Sequence, residues 1–159
     1  MKKIVLFVTV IASLFLITGC GEKKEEIKNV EGTLEEIMTK VYEKIPQEER
    51  PMMLGNTEVN EENVEYYLGT TDIEYKEALG SESGVGSIAH SVVLVRTKEN
   101  ANVEEIKNKI KDNINPRKWV CVGVEEDDVV VLNKGDLVIL ILVEDENTRE
   151  KLVEGFNNL

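Results

Sequence analysis

The stretch VVVLNKGDLVILILV, residues 129–143, sets two apolar runs on either side of Asn133-Lys134-Gly135-Asp136. Asn, Gly and Asp supply the local hydrogen bonds and the positive φ that a tight reversal requires, so the segment reads as a β-hairpin. The second run, Leu137 to Val143, has no polar residue. A strand with one wet face alternates polar and apolar side chains. An unbroken aliphatic run therefore implies burial on both faces or a central place in the sheet.

Downstream, Asn147 can cap a last helix that turns Leu152, Val153 and Phe156 inward. Upstream, Trp119 to Val124 reads as a short strand. Before it, Asn102-Val103-Glu104-Glu105 opens a helix with the stripe Val103, Ile106, Ile110 and Ile114, closed by Asn115-Pro116. Ser87 to Thr97 is rich in β-branched residues and reads as a strand. This order of strand, helix, strand, strand, helix resembles half of a ferredoxin-like arrangement. Further upstream, Thr33-Leu34-Glu35-Glu36 is a capping-box pattern before Leu34, Ile37, Met38, Val41, Tyr42 and Ile45, and Pro46 stops that helix. A short helix is expected from Asn60 to Leu68, with Val59 and Val64 at staple spacing and Gly69 closing it. Ile73 to Ser83 fits strand and helix equally, and Gly80, Gly84 and Gly86 are expected to interrupt regular structure. Together these elements predict an α+β fold: a two-layer sandwich with a mostly antiparallel sheet and helices packed on one face, formed by residues 33–159 as a single domain.

Composition narrows the function classes. The chain has 159 residues, 31 acidic and 19 basic, for a formal net charge of −12. A domain of this length buries about two-thirds of its unfolded surface and needs no metal or disulfide staple. The acidic balance argues against nucleic acid as a partner, because phosphate binding relies on clustered Lys and Arg. Aromatics at 5% give few stacking platforms for single strands.

The first twenty residues carry an address. Lys2 and Lys3 precede an apolar run from Ile4 to Ile17, broken only by Thr9 and Ser13. That run is shorter than the about 20 residues needed to span a bilayer, but it suits a secretory leader. It ends in Ile17-Thr18-Gly19-Cys20, which resembles the bacterial lipobox. The resemblance implies diacylglyceryl transfer to the Cys20 sulfur and cleavage before Cys20, so residues 1–19 are the leader and Cys20 is the lipid attachment site. Two acyl chains give stable anchoring where one does not. Losing a leader with two lysines and no acids takes the charge to −14. A body that acidic is repelled by anionic headgroups. Residues 20–32, beginning CGEKKEEIKNVE, read as a flexible tether. Cys20 and Cys121 are the only cysteines, so a lipidated Cys20 leaves Cys121 without a partner. Its apolar neighbours predict a buried small hydrophobe.

Few residues suggest chemistry. His90 is the lone histidine and shares a strand face with Ile88, Val92 and Leu94, while Ser91 points to the opposite face and cannot form a dyad with it. One histidine and no thiol cluster argue against zinc. The acidic runs Glu125 to Asp128 and Glu144 to Glu146 lack the spacing and glycine of a calcium loop, and read as solvated hairpin ends. Gly84-Val85-Gly86-Ser87-Ile88-Ala89 matches a dinucleotide pattern but precedes a strand instead of following one. Arg117, Lys118 and Trp119 could form a small basic-aromatic contact spot, with core filling the expected role of Trp119. No catalytic, metal or cofactor-binding residue is assigned.

The stretches YYLGTTDIEYKEAL (66–79), SIAHSVVLVRTKE (87–99) and NPRKWVCVGVEEDDVVVLNKGDLVILIL (115–142) resemble a family of Firmicutes lipoproteins classed as domain of unknown function 4358. The likeness covers about the last hundred residues and departs from the family pattern at Pro116 to Val124, where relatives carry a longer helical connection. It implies a lipobox upstream and brings no known activity. The resulting expectation is a lipid-anchored extracytoplasmic lipoprotein of the cell membrane. It would act as a non-catalytic binding or accessory module toward wall polymer or another envelope protein. The alternatives are an envelope enzyme that uses carboxylates and a structural spacer or homo-oligomer.

Overall fold

The computed structural model describes residues 29–159. The leader, Cys20 and most of the expected tether lie outside the described residues. The described part of that tether is not loose. Val30 packs on the core, Arg96 donates to the carbonyls of Val30 and Gly32, and Asn29 Oδ1 accepts from the Asp136 N–H.

Five antiparallel strands form one open sheet: β1 (Leu54–Glu58), β2 (Tyr75–Ser83), β3 (His90–Thr97), β4 (Val130–Lys134) and β5 (Leu137–Val143), in the spatial order β1-β2-β3-β5-β4. Among the described residues four α-helices accompany it: α1 (Leu34–Val41), α2 (Val64–Leu68), α3 (Val103–Asn113) and α4 (Glu146–Asn157). The α+β class and the antiparallel sheet are as expected. The expected 129–143 hairpin is formed by β4 and β5, whose two-residue turn puts Gly135 at its first central position with φ 59°. β3, α3, β4 and β5 reproduce the split crossover of a half ferredoxin-like unit, with β5 lying between β3 and β4.

The helices do not all lie on one face, and the reason is β5. Its residues are all buried, and alternation sends them both ways. Leu137, Ile139, Ile141 and Val143 join Val92 and Leu94 of β3 in a core completed by α1 and α4. Val138, Leu140 and Leu142 join Val93 and Val95 in a second core completed by α2, α3 and Trp119. Each such aliphatic side chain gains about 1.5–3 kcal/mol on burial, so a one-sided layer would leave half of this gain unused. The two-layer expectation is thus corrected to three layers, helices–sheet–helices.

Local chemistry explains the other departures. Gly80 does not break the chain but sits inside β2. A Cβ there would lie 2.6 Å from the Tyr67 ring, so the glycine lets that ring lie against the strand. β1 carries only one apolar side chain, Leu54, and forms because its backbone pairs with β2. α2 is shorter than expected, because Asn60 and Asn63 use their side chains on backbone N–H groups and hold residues 60–63 in a turn. Asp145, not Asn147, caps α4 by accepting from the Thr148 N–H at 2.8 Å. Residues 119–124 are not a strand. Cys121 has φ 63°, and the loop is pinned by Val120 N–H to Gly86 O and Val124 N–H to Pro116 O.

α4 meets α1 at Gly155, where an added Cβ would stand 2.2 Å from the Val41 carbonyl oxygen. Intrinsic propensity favours alanine over glycine in a helix by about 1 kcal/mol. Here a backbone atom occupies the space, so Gly155→Ala is expected to destabilise by about 1–3 kcal/mol in urea unfolding. A gain in stability would show that the two helices are not in this contact.

Candidate functional site

One end of the sheet concentrates the buried polar side chains. Successive residues of β2, Ser81 and Glu82, and of β3, His90 and Ser91, feed the two faces in turn. Two polar centres therefore sit back to back.

On the α1/α4 face, Tyr42 leaves a 3-10 turn at the end of α1 and places its hydroxyl 2.7 Å from His90 Nε2. Ser81 approaches the same hydroxyl. All three residues are buried. Burial pushes the His90 pKa down to about 4, so its imidazole is neutral at pH 7. The Tyr42 phenol is held well above its ordinary value, again by burial, so it stays protonated and shares a hydrogen bond with the neutral imidazole. Arg50 lies 5.5 Å from the centre of the Tyr42 ring, and its Nε and Nη2 donate to the carbonyls of Ile45 and Tyr42.

Two clefts meet at Pro51 above this trio. One, of about 470 Å³, is lined by Tyr42, Arg50, Leu54, Asn56 and Ser81 among others. The other, of about 580 Å³, includes His90, Ile88, Val143, Asp145 and Glu49. Their walls offer hydroxyl and amide groups, one guanidinium and acids. This is a surface suited to hydrogen-bonding a polar ligand.

On the α2/α3 face, Glu82 is the hub. Lys118 Nζ stands 3.2 Å from Glu82 Oε2 and 3.2 Å from Ser91 Oγ. Trp119 Nε1 and the Tyr66 hydroxyl each donate to Glu82 Oε1 at 2.8 Å. The ammonium lies 4.1, 4.9 and 5.2 Å from the ring centres of Tyr66, Tyr67 and Trp119. The Lys118 and Glu82 side chains are only 4% and 10% exposed. Burial lowers the lysine pKa, against the opposing pull of Glu82. Desolvation and the Glu82 carboxylate raise that of Tyr66. A buried pair of this kind adds little net stability, but it is costly to break, because either partner alone is a stranded charge. Its role here is to lock the 115–124 loop against β2 and β3.

The residues singled out from sequence fall as follows. His90 is buried on the strand face that also carries Val92 and Leu94 and is bonded to Tyr42, and Ser91 faces the opposite way. Trp119 is core filler with a polar tip on Glu82, and Lys118 belongs to the same cluster. Arg117 lies apart, exposed and paired with Glu125. Cys121 is exposed, not buried, because the positive φ turns it out of the loop. The acidic runs have local duties: Asp128 pairs with Arg149 at 2.8 Å, and Asp145 caps α4. Among the described residues no three His, Cys, Asp or Glu side chains gather as metal ligands. Gly84 to Ala89 leads into β3, as its position before a strand predicted. Tyr42, Arg50, Ser81 and Glu82 were not visible as a site in the sequence. The one available signal was Glu82 set between two serines, Ser81 and Ser83, in the ambiguous 73–83 segment.

The chain matches no protein-family model, no curated protein and no solved structure.

His90 makes stability depend on pH. Its folded pKa, about 4, lies below the ordinary 6.5, so the unfolded chain takes up the proton first. The contribution is complete above pH 6.5 and is lost as pH falls toward 4. Over that interval the wild type is expected to lose about 3 kcal/mol through this group. Chemical unfolding of His90→Gln over the same range should give a shallower dependence, and parallel profiles for the two proteins would contradict the assignment.

Proposed function

We propose that this protein is a lipid-anchored lipoprotein on the extracytoplasmic face of a bacterial membrane, of the Firmicutes type its sequence resembles. It acts as a non-catalytic binding or accessory module of the cell envelope. The observation that carries the reading is the tetrad Ile17-Thr18-Gly19-Cys20 at the end of an apolar run behind two lysines. Three further points support it. Among the described residues no helix is long and apolar enough to cross a membrane, which is compatible with attachment through an acylated Cys20. The buried polar side chains at the sheet end are engaged with one another, as in a rigid scaffold that presents a surface. Residues 29–32 are held at the Arg96 end of β3, whereas the cleft that includes His90 lies at its other end, about 20 Å away along the strand. A ligand in that cleft would meet the body at the end of β3 remote from residues 29–32. Wall polymer or another envelope protein is the partner this placement suits.

Cys20→Ser, expressed in a bacterium that processes lipoproteins, should move the protein from the membrane fraction to the soluble fraction and abolish incorporation of labelled palmitate. Full retention in membranes with an unprocessed Met1 start would overturn the anchoring.

A further inference from the structure

The two edges of the sheet are unlike. β4 is half-buried along its length and is overlaid from both sides: Lys107 reaches Asn133 Oδ1 at 2.9 Å, and Lys134 reaches the Asn157 carbonyl at 3.1 Å. β1 has no such cover, since Gly55, Asn56, Thr57 and Glu58 are all exposed. It also lacks the lysine, proline or bulge with which proteins protect open edges.

The direction of its backbone groups follows from the ladder. Gly84 N–H donates to Met53 O and Val59 N–H to Ala78 O, so the odd-numbered residues of β1 face β2. The N–H and C=O groups of Leu54 and Asn56, and the N–H of Glu58, therefore point outward. Among the described residues they have no hydrogen-bond partner. The Glu58 carbonyl accepts from Asn63 Nδ2 and keeps one lone pair free.

We propose that β1 is a self-pairing edge: it joins β1 of a second copy, antiparallel and centred on Asn56, to make one continuous sheet across a two-fold axis. Two features favour a second copy over an unrelated strand. First, the outward residues are symmetric about Asn56. In this register Asn56 opposes Asn56, and Leu54 opposes Glu58, so all outward groups meet partners in bonded pairs. Second, the charges match. Arg50 lines the cleft beside Leu54 and Asn56, and among the described residues it has no carboxylate partner. Glu58 shares the sheet face of Leu54 and also has none. The register sets Glu58 of the second copy opposite Leu54, at the mouth of the Arg50 cleft, twice per pair. The proposal does not depend on lipid attachment or on what the clefts bind.

Disulfide trapping of the purified chain tests it. In a Cys20→Ser, Cys121→Ser background, Asn56→Cys would place two thiols at the two-fold axis, with Cα atoms about 5.5 Å apart and within disulfide reach. Thr57→Cys would place them two residues out of register, about 8 Å apart. Mild oxidation should give a dimer band at least fivefold stronger for position 56 than for 57, and none for the cysteine-free parent. Adding Glu58→Pro removes an outward donor and the acid but no bond to β2, since proline is tolerated on an outward-facing edge position. It should reduce trapping at 56 at least fivefold without shifting the unfolding midpoint. Absence of trapping at 56, equal trapping at 56 and 57, or trapping indifferent to Glu58→Pro with the fold intact would overturn the pairing.

Discussion

A strand made only of Leu, Val and Ile cannot leave either of its faces in water, and that constraint organises this molecule. β5 runs through the sheet between β3 and β4 with every residue buried. Its two sets of side chains demand two covers. The chain supplies them from its ends and its middle: α1 and α4 over one face, α2 and α3 over the other. The close approach of α4 to α1 at Gly155 and of the Tyr67 ring to β2 at Gly80 follows, because both covers must lie tightly against a filled sheet.

Where the aliphatic content of the sheet runs out, the polar centres begin. β2 turns from Ala78 and Leu79 to Ser81 and Glu82, and β3 opens with His90 and Ser91. Because neighbouring residues point to opposite faces, each strand contributes to both centres at once. The Tyr42–His90 pair then underlies a pair of clefts, while the Glu82–Lys118 pair fixes a loop on the opposite side. The two centres therefore share the same short backbone segments of β2 and β3.

Much of the fold was legible where a side-chain period is strong. The capping box at Thr33, the Val103 to Ile114 stripe, the Ser87 to Thr97 strand and the 129–143 hairpin all report burial directly. β1 was not legible, since an edge strand of Leu, Gly, Asn, Thr and Glu is specified by its neighbour's backbone and leaves no pattern of its own. The 119–124 stretch misled because Trp119 and Val124 are buried by a pinned loop, not by a pleat. The unbroken run of β5 already allowed burial on both faces, and the one-sided sandwich expected from the hairpins set that signal aside. The polar centres join residues far apart in the chain, Tyr42 with His90 and Glu82 with Lys118, so no local spacing could have announced them.

If two-sided burial of β5 holds the structure together, its backbone should open only when the whole domain unfolds. Native-state hydrogen exchange measures this directly. The amides of Ile139, Leu140 and Ile141, with those of Val93 and Leu94 beside them, should exchange slowest of all, at the free energy of global unfolding. Amides of α2, a short helix, should exchange through smaller openings. Exchange of the β5 amides at free energies at or below those of α2 would contradict the account.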